Sequence, residues 1–134
     1  MGRSHGRKRI LVVEDEPLVL NLVAQTMGME GYLVLTAQNG QKALNLIRDI
    51  HVDFIICDVK MPDCDGEVFY DEVQKARPQL RGRIAFMTGD TVSPRTVSFL
   101  EKSGAPYLLK PFNLSDLRRV VAETLEKKSR TADR

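Results

Sequence analysis

Five short apolar runs, each followed by a segment of helical spacing, constrain this chain more than any other feature. The runs are "RILVV" (9–13), "YLVLTA" (32–37), "DFIIC" (53–57), "RIAFMT" (83–88) and "PYLLK" (106–110). At least four are almost continuously apolar, the pattern of parallel strands covered on both faces. The intervening segments repeat apolar residues at three- and four-residue steps. Residues 17–29 put Leu18, Leu22, Val23 and Met27 on one stripe behind Pro17, which is tolerated in a first turn. Residues 40–50 repeat Ala43, Leu44, Ile47 and Ile50, and residues 66–76 offer Val68, Phe69, Val73 and Ala76 before Pro78. Residues 94–103 are anchored by Val97 and Leu100 and stopped by Gly104, and residues 114–126 carry Leu114, Leu117, Val120, Val121 and Leu125. Right-handed crossovers then place helices on both sides of one parallel sheet. The expected class is α/β, a doubly wound (βα)5 fold.

The length of 134 residues is that of one domain with one substantial core. No apolar run reaches membrane-spanning length, and the basic start lacks the apolar stretch of a signal peptide, so the expected location is cytoplasmic. Cys57 and Cys64 are the only cysteines, and their spacing fits neither a zinc site nor a disulfide scaffold. Cys57 is expected to fill its strand and Cys64 a loop. The net charge of +2 is unevenly spread: residues 1–9 carry +4, residues 127–134 carry +3, and the body between them carries −5. Residues 1–7 read as a basic tail or a cloning remnant, and residues 128–134 as a C-terminal tail. Solvated ends account for this charge without a nucleic-acid or membrane partner.

In open parallel sheets ligands bind beyond the carboxyl ends of the strands, where the strand order reverses. Glu14, Asp15 and Glu16 follow the first run and Asp58 the third, while the fourth ends in Thr88, with Gly89 and Asp90 behind it, and the fifth in Lys110, followed by Pro111. Strand two offers only Gln38, Asn39 and Gly40. If the other four strands lie near the reversal, Glu14, Asp15, Asp58, Thr88 and Lys110 share one cleft. Crowded carboxylates repel unless a cation joins them. An all-oxygen donor set without His or Cys selects a hard ion such as Mg²⁺. A metal, an ammonium and a hydroxyl are what a phosphoryl group needs around its oxygens, which makes Asp58 a candidate nucleophile forming an acyl phosphate.

"ILVVEDEP", "DFIICDVKMPDCDG", "MTGD" and "LLKPF", in this order and spacing, resemble the receiver domain of two-component response regulators over roughly residues 8–127. The resemblance implies a flavodoxin-like sheet of order 2-1-3-4-5. It makes Asp58 the phosphoacceptor and assigns Mg²⁺ to Glu14, Asp15, Asp58 and the backbone carbonyl of Lys60. It makes Thr88 the hydroxyl that closes on the phosphoryl group, Lys110 the ion-pairing lysine and Tyr107 the switch aromatic. Lys110–Pro111 is a candidate cis bond. Glu14 stands where Asp is commoner in the family, one methylene longer, which should alter water-mediated metal contacts. The implied donor is a histidine kinase or histidine phosphotransfer protein, and the implied output a downstream protein contacting the face of helix four, strand five and helix five. The ending "FLEKSGAPYLLKPF" resembles receivers attached to hybrid sensor histidine kinases, so a fragment of such a kinase is the alternative reading.

Other expectations are local. Lys60 and Asp90 flank the site and are expected to tune hydrolysis by pairing across its entrance. Asp63 and Asp65 shape the loop before Gly66, with Asp65 a helix cap. Glu16 is read as a cap of the first helix, and His5 and His51 as isolated surface residues. Three competing functions fare worse. An aspartyl phosphatase of the haloacid-dehalogenase kind wants a second Asp where Lys60 stands. A nucleotide- or flavin-binding module lacks GxGxxG and P-loop motifs. An inactive receiver used only for binding would not need the intact acids, Thr88 and Lys110. The domain is thus read as a signalling phosphoacceptor rather than an enzyme, with no direct nucleic-acid partner and an undetermined oligomeric state.

Overall fold

Period-two alternation sorts the strand residues onto the two faces of one parallel sheet. The computed structural model describes residues 7–132, with side chains through Glu126. Arg3, His5, the side chains of Lys127, Lys128 and Arg130, and residues Asp133 and Arg134 lie outside the described residues. The strands are β1 (Arg9–Val13), β2 (Leu33–Ala37), β3 (Phe54–Asp58), β4 (Ile84–Thr88) and β5 (Tyr107–Leu109). They alternate with helices α1 (Pro17–Met29), α2 (Gly40–Asp49), α3 (Gly66–Ala76), α4 (Pro94–Ser103) and α5 (Leu114–Ala132). The sheet order is β2-β1-β3-β4-β5 and every pairing is parallel. The expected (βα)5 class and strand order are therefore both observed.

Two cores follow from the alternation. On one face Leu11, Val13, Ile55, Cys57, Ile84 and Phe86 pack under α2, α3 and α4. On the other, Ile10, Val12, Phe54, Ile56, Ala85, Met87 and Leu108 pack under α1 and α5. The near-continuous apolar runs exist because both faces are covered. Beneath α4 the rings of Tyr70, Phe86 and Phe99 cluster with centroids 5.0 to 5.9 Å apart, Phe99 meeting both of the others edge-to-face.

Helix ends obey local chemistry. Asn39 caps α2 through Lys42 N–H, Asp65 caps α3 through Val68 N–H, and Gly104 ends α4 with φ 66°. Four local expectations are corrected, one being Val68, which is 50% exposed while α3 turns Phe69 and Val73 to the core. Leu18 and Leu22 are not core: Leu18 is 84% exposed, and α1 turns Leu20, Val23 and Met27 to the sheet instead. The sequence "PLVLNLV" is apolar nearly all round, so periodicity could not choose the face. Phe99, rather than Val97, shares the anchoring of α4 with Leu100. Helix α5 runs to Ala132, past the last apolar step at Leu125, and a short 3-10 turn over Pro78–Leu80 follows α3. Among the described residues no helix is long and apolar enough to cross a membrane.

Candidate functional site

Strand parity decides which strand-end groups meet. The register pairs Val13 with Cys57, and the ladder continues one step, with Glu14 N–H donating to Ala37 O at 3.1 Å. Glu14 therefore follows Ile10 and Val12 onto the α1/α5 face, beside Asp58, which follows Phe54 and Ile56. At the far edge Lys110 N–H donates to Thr88 O at 2.8 Å, so Lys110 follows Leu108 onto the same face. Three groups from β1, β3 and β5 thus converge at one edge of the sheet.

Lys110 Nζ lies 2.7 Å from Glu14 Oε1 and 3.2 Å from Asp58 Oδ2. Glu14 is fully buried and Asp58 is 8% exposed, whereas the Lys110 side chain keeps 20% exposure. Partial burial works against the ammonium, but the hydrogen bond with Glu14 and the charges of Asp58 and Glu14 outweigh it. The Lys110 pKa is accordingly raised above the ordinary lysine value of 10.5. The other oxygens are also engaged: Glu14 Oε2 accepts from Glu16 N–H at 3.1 Å and Asp58 Oδ1 from Lys60 N–H at 3.3 Å. Glu16 occupies the position before α1, but its side chain makes no capping bond, so the cap expected of it is not formed, and its own N–H is the group bonded to Glu14.

Carboxylate oxygens of Glu14, Asp15 and Asp58 lie within 4.8 Å of one another. Asp15 is exposed, and among the described residues its carboxylate makes no hydrogen bond or ion pair. Three carboxylates against one ammonium, with no nitrogen or sulfur donor, suit a hard divalent cation.

Thr88 and Tyr107 stand apart from this cluster. By parity Thr88 continues the Ile84–Phe86 face, and its buried hydroxyl donates to Asp90 O and accepts from Asp90 N–H, both at 2.9 Å. Among the described residues no hydrogen bond joins Thr88 to Asp58. Tyr107 and Leu109 are 46% and 51% exposed on the edge strand β5. Lys60 Nζ reaches Asp90 Oδ2 at 3.2 Å, so the expected contact across the entrance is formed. Backbone N–H groups of Ser93 and Val92, followed by Lys60, hold the Asp90 pKa below its ordinary value of 3.8. A cleft of about 260 Å³ lies beside this contact, floored by Val59, Thr96 and Phe99. A larger cleft of about 600 Å³ is lined by Tyr70, Arg81, Pro106 and Glu123 and by none of the strand-end residues.

Several contacts had no signal in the sequence. Asp63 reaches across to α2, where Gln41 and Gly40 N–H donate to it at 2.8 and 3.0 Å. Arg95 pairs with Asp65 at 3.2 Å, and His51, expected to be isolated, contacts Asp53 at 2.9 Å. Each joins residues whose separation depends on loop paths or rotamers that no spacing rule encodes. Lys110–Pro111 is cis, as anticipated. The Cys57 thiol is pushed well up by burial and by the adjoining carboxylates, in keeping with an inert core residue.

Comparison with known proteins agrees with this geometry. The family model "Response regulator receiver domain" matches residues 10–122. The regulatory protein AtoC of Escherichia coli is 31% identical over 90% of this chain and 26% of its own length. The sensor kinase CckA of Brucella abortus is 32% identical over 91% of this chain and 13% of its own. The chain therefore spans only a minor part of these relatives. Among solved structures, a CheY-like receiver domain protein from Methanospirillum hungatei superposes with a TM-score of 0.85 at 30% identity, covering 94% of this chain and 99% of that one. The response regulator TrrA of Thermotoga maritima, solved in complex with Mg²⁺ and BeF, superposes with a TM-score of 0.74 at 30% identity, covering 87% and 98%. The sheet order, the edge cluster and the match over most of its length make this chain a member of the response regulator receiver domain family of two-component signalling.

Proposed function

We propose that the domain accepts a phosphoryl group on Asp58 from a histidine kinase or histidine phosphotransfer protein. The observation that carries this reading is the Asp58 carboxylate, fixed at the end of the central strand against Lys110 and ringed by Glu14 and Asp15. A carboxylate oxygen of Asp58 attacks phosphorus, the P–N bond of the donor phosphohistidine breaks, and the imidazole leaves with the electron pair. The product is a mixed anhydride on Asp58, which water later returns to carboxylate and inorganic phosphate. Lys110 holds the ammonium beside the oxygens that accumulate charge. Asp15, Asp58, the Lys60 carbonyl and Glu14 are the residues that would hold Mg²⁺, which when bound neutralises phosphoryl charge.

The proposed switch begins at Thr88. Its hydroxyl exchanges the Asp90 backbone for a phosphoryl oxygen, and Tyr107 repacks against the space vacated. The output surface is the α4-β5-α5 face, where the exposed Tyr107 and Leu109 offer apolar contact to a downstream protein. Relatives include both a regulatory protein and a sensor kinase, and the same Asp58 chemistry would serve within either kind of longer chain. The domain assists its own phosphorylation and dephosphorylation and is not assigned a separate substrate.

Incubation with acetyl phosphate and Mg²⁺, followed by intact mass measurement, tests the proposal. A labile phosphoryl adduct on the wild type, absent from Asp58→Asn, supports it. No adduct on the wild type, or one retained by Asp58→Asn, overturns it.

A further inference from the structure

The first turn of α4 carries donors that the fold leaves unused. Pro94 has no N–H, and the first helical bond is Val97 N–H donating to Ser93 O at 3.0 Å. Among the described residues the Arg95 and Thr96 N–H groups therefore have no acceptor, and Ser93 makes no side-chain cap. No acidic side chain stands in that turn either. Such N–H groups, with the helix dipole behind them, favour an anion. A second and independent observation is the Thr96 side chain. The residue is only 6% exposed and lines the cleft of about 260 Å³, yet its hydroxyl has no hydrogen-bond partner among the described residues. A buried hydroxyl without a partner loses its hydration uncompensated, and a ligand oxygen in the cleft would restore it.

The rest of the cleft selects among anions. Val59 and Phe99 give it an apolar floor, which suits a short hydrocarbon body. Its volume lies below the ~300 Å³ at which sites for drug-sized ligands begin, so that body is limited to a few carbons. Around the cleft Lys60 and Arg95 are balanced by Asp65 and Glu67, so the wall is formally neutral and offers a dianion no attracting field. Asp65 is already engaged by Arg95 and by Val68 N–H, and exposed Glu67 stands in the first turn of α3, where the dipole favours it.

We infer that this cleft binds a small aliphatic monocarboxylate, its oxygens on the first-turn N–H groups of α4 and the Thr96 hydroxyl and its chain over Val59 and Phe99. The cleft contains none of the groups gathered at Asp58. Asp90 nevertheless links the two places: its Oδ1 accepts from Val92 and Ser93 N–H at 2.9 Å, and its backbone holds the Thr88 hydroxyl. A carboxylate bound between α4 and the start of α3 fixes α4 where this structure has it. The consequence for signalling rests on the proposed reading that Thr88 leaves Asp90 when Asp58 is phosphorylated. The ligand then opposes phosphorylation, and phosphorylation weakens the ligand by the same factor.

Titration of the full chain with butyrate, followed by backbone amide NMR at constant ionic strength, tests the site. Saturable shifts of the Arg95 and Thr96 amides are expected, with butanol and inorganic phosphate producing none. Thr96→Val keeps the shape of the side chain, removes the hydroxyl and should weaken binding at least threefold. Arg95→Gln, at an exposed position, leaves the wall net acidic and should also weaken binding, which keeps the test decisive if Thr96→Val folds poorly. Shifts that never saturate, or equal affinity in wild type and variants, overturn the inference; water alone then satisfies the hydroxyl. A blocked glutamate peptide that binds more tightly than butyrate would overturn the free acid as ligand and assign the carboxylate to a protein side chain.

The coupling is read from the rate of phosphorylation by phosphoramidate at fixed free Mg²⁺, a donor that, unlike acetyl phosphate, releases no carboxylate. Saturating butyrate should slow the wild type at least threefold, and the same concentration should slow Thr96→Val less. Binding with an unchanged rate overturns the coupling. A wild type that takes up no phosphate with or without butyrate would instead sink the phosphoacceptor reading, and the amide titration, which needs no phosphorylation, would still decide the carboxylate site.

Discussion

Replacing Asp15 by Asn should make the cation-free protein more stable, although the residue is proposed to serve its function. Asp15 shares a space of 4.8 Å with Glu14 and Asp58, and the single ammonium of Lys110 contacts only the latter two. Two unit charges at 4.8 Å repel by ~0.9 kcal/mol in a waterlike medium and by ~3.5 kcal/mol at an effective dielectric of 20. Asp15 is exposed, so the lower figure applies to each of its two repulsions, and salt together with attraction to Lys110 reduces their sum. A net gain of about 1 kcal/mol remains, because Asn keeps the size and Asp15 has no hydrogen bond to lose. For a domain of this length that is a rise in melting temperature of roughly 3 to 5 °C. Mg²⁺ reverses the ranking: at ten times its dissociation constant it stabilises the wild type by about 1.4 kcal/mol. The variant should gain little. Thermal and urea denaturation of both proteins, in chelator and across a Mg²⁺ series, would measure the effect. An Asp15→Asn protein less stable than wild type in chelator, or one with an undiminished Mg²⁺ gain, would refute the crowding argument.

Three further outcomes are expected. For Asp63, burial opposes ionisation, but the Gln41 and Gly40 N–H groups outweigh it and hold the carboxyl below its ordinary value of 3.8. Its stabilisation is therefore present above pH 3.8 and lost as pH falls through the lower folded value. Asp63→Ala should cost about 1 kcal/mol at pH 7, as loss of a helix cap does. In urea titrations that gap should narrow below pH 3.8; an equal gap at pH 7 and pH 3 would contradict the assignment. Gly66→Ala should destabilise by about 1 to 3 kcal/mol in urea, since a Cβ there meets Val59 backbone at 3.1 Å and Phe86 Cε1 at 3.4 Å. Gly40→Ala should cost less, because its obstacle is the Cys64 thiol, the end of a side chain that can rotate; the reverse order would disprove this account. Lys60→Ala and Asp90→Ala should each shorten the aspartyl-phosphate lifetime by roughly two- to fivefold, the modest effect expected of an exposed pair. Unchanged lifetimes would show that the bridge does not obstruct water.

The sequence came close to fixing the elements, because their signals are local. A continuous apolar run bounded by polar residues has few readings other than a doubly covered strand, and Asp65 and Gly104 mark helix ends through a side chain or backbone freedom, whereas the Asn39 cap emerged only with the structure. The faces of α1 were not legible. Leu18, Leu20, Leu22 and Val23 offer apolar surface in several directions, and only the position of the sheet picks one.

At the site, residue types and strand ends determined which groups were candidates: acids just after β1 and at the end of β3, a hydroxyl at the end of β4 and an ammonium just after β5. Their chemistry already pointed to a hard cation and a phosphoryl group. Tertiary structure decided how they are joined. Strand order set Glu14 beside Asp58, and the ladder's parity put Lys110 on their face and Thr88 on the other. Side-chain reach then let Lys110 contact Glu14, 96 positions away along the chain. Sequence carries the period within each strand, but register and order belong to the assembled sheet, where one residue of slip would send each of these groups to the opposite face.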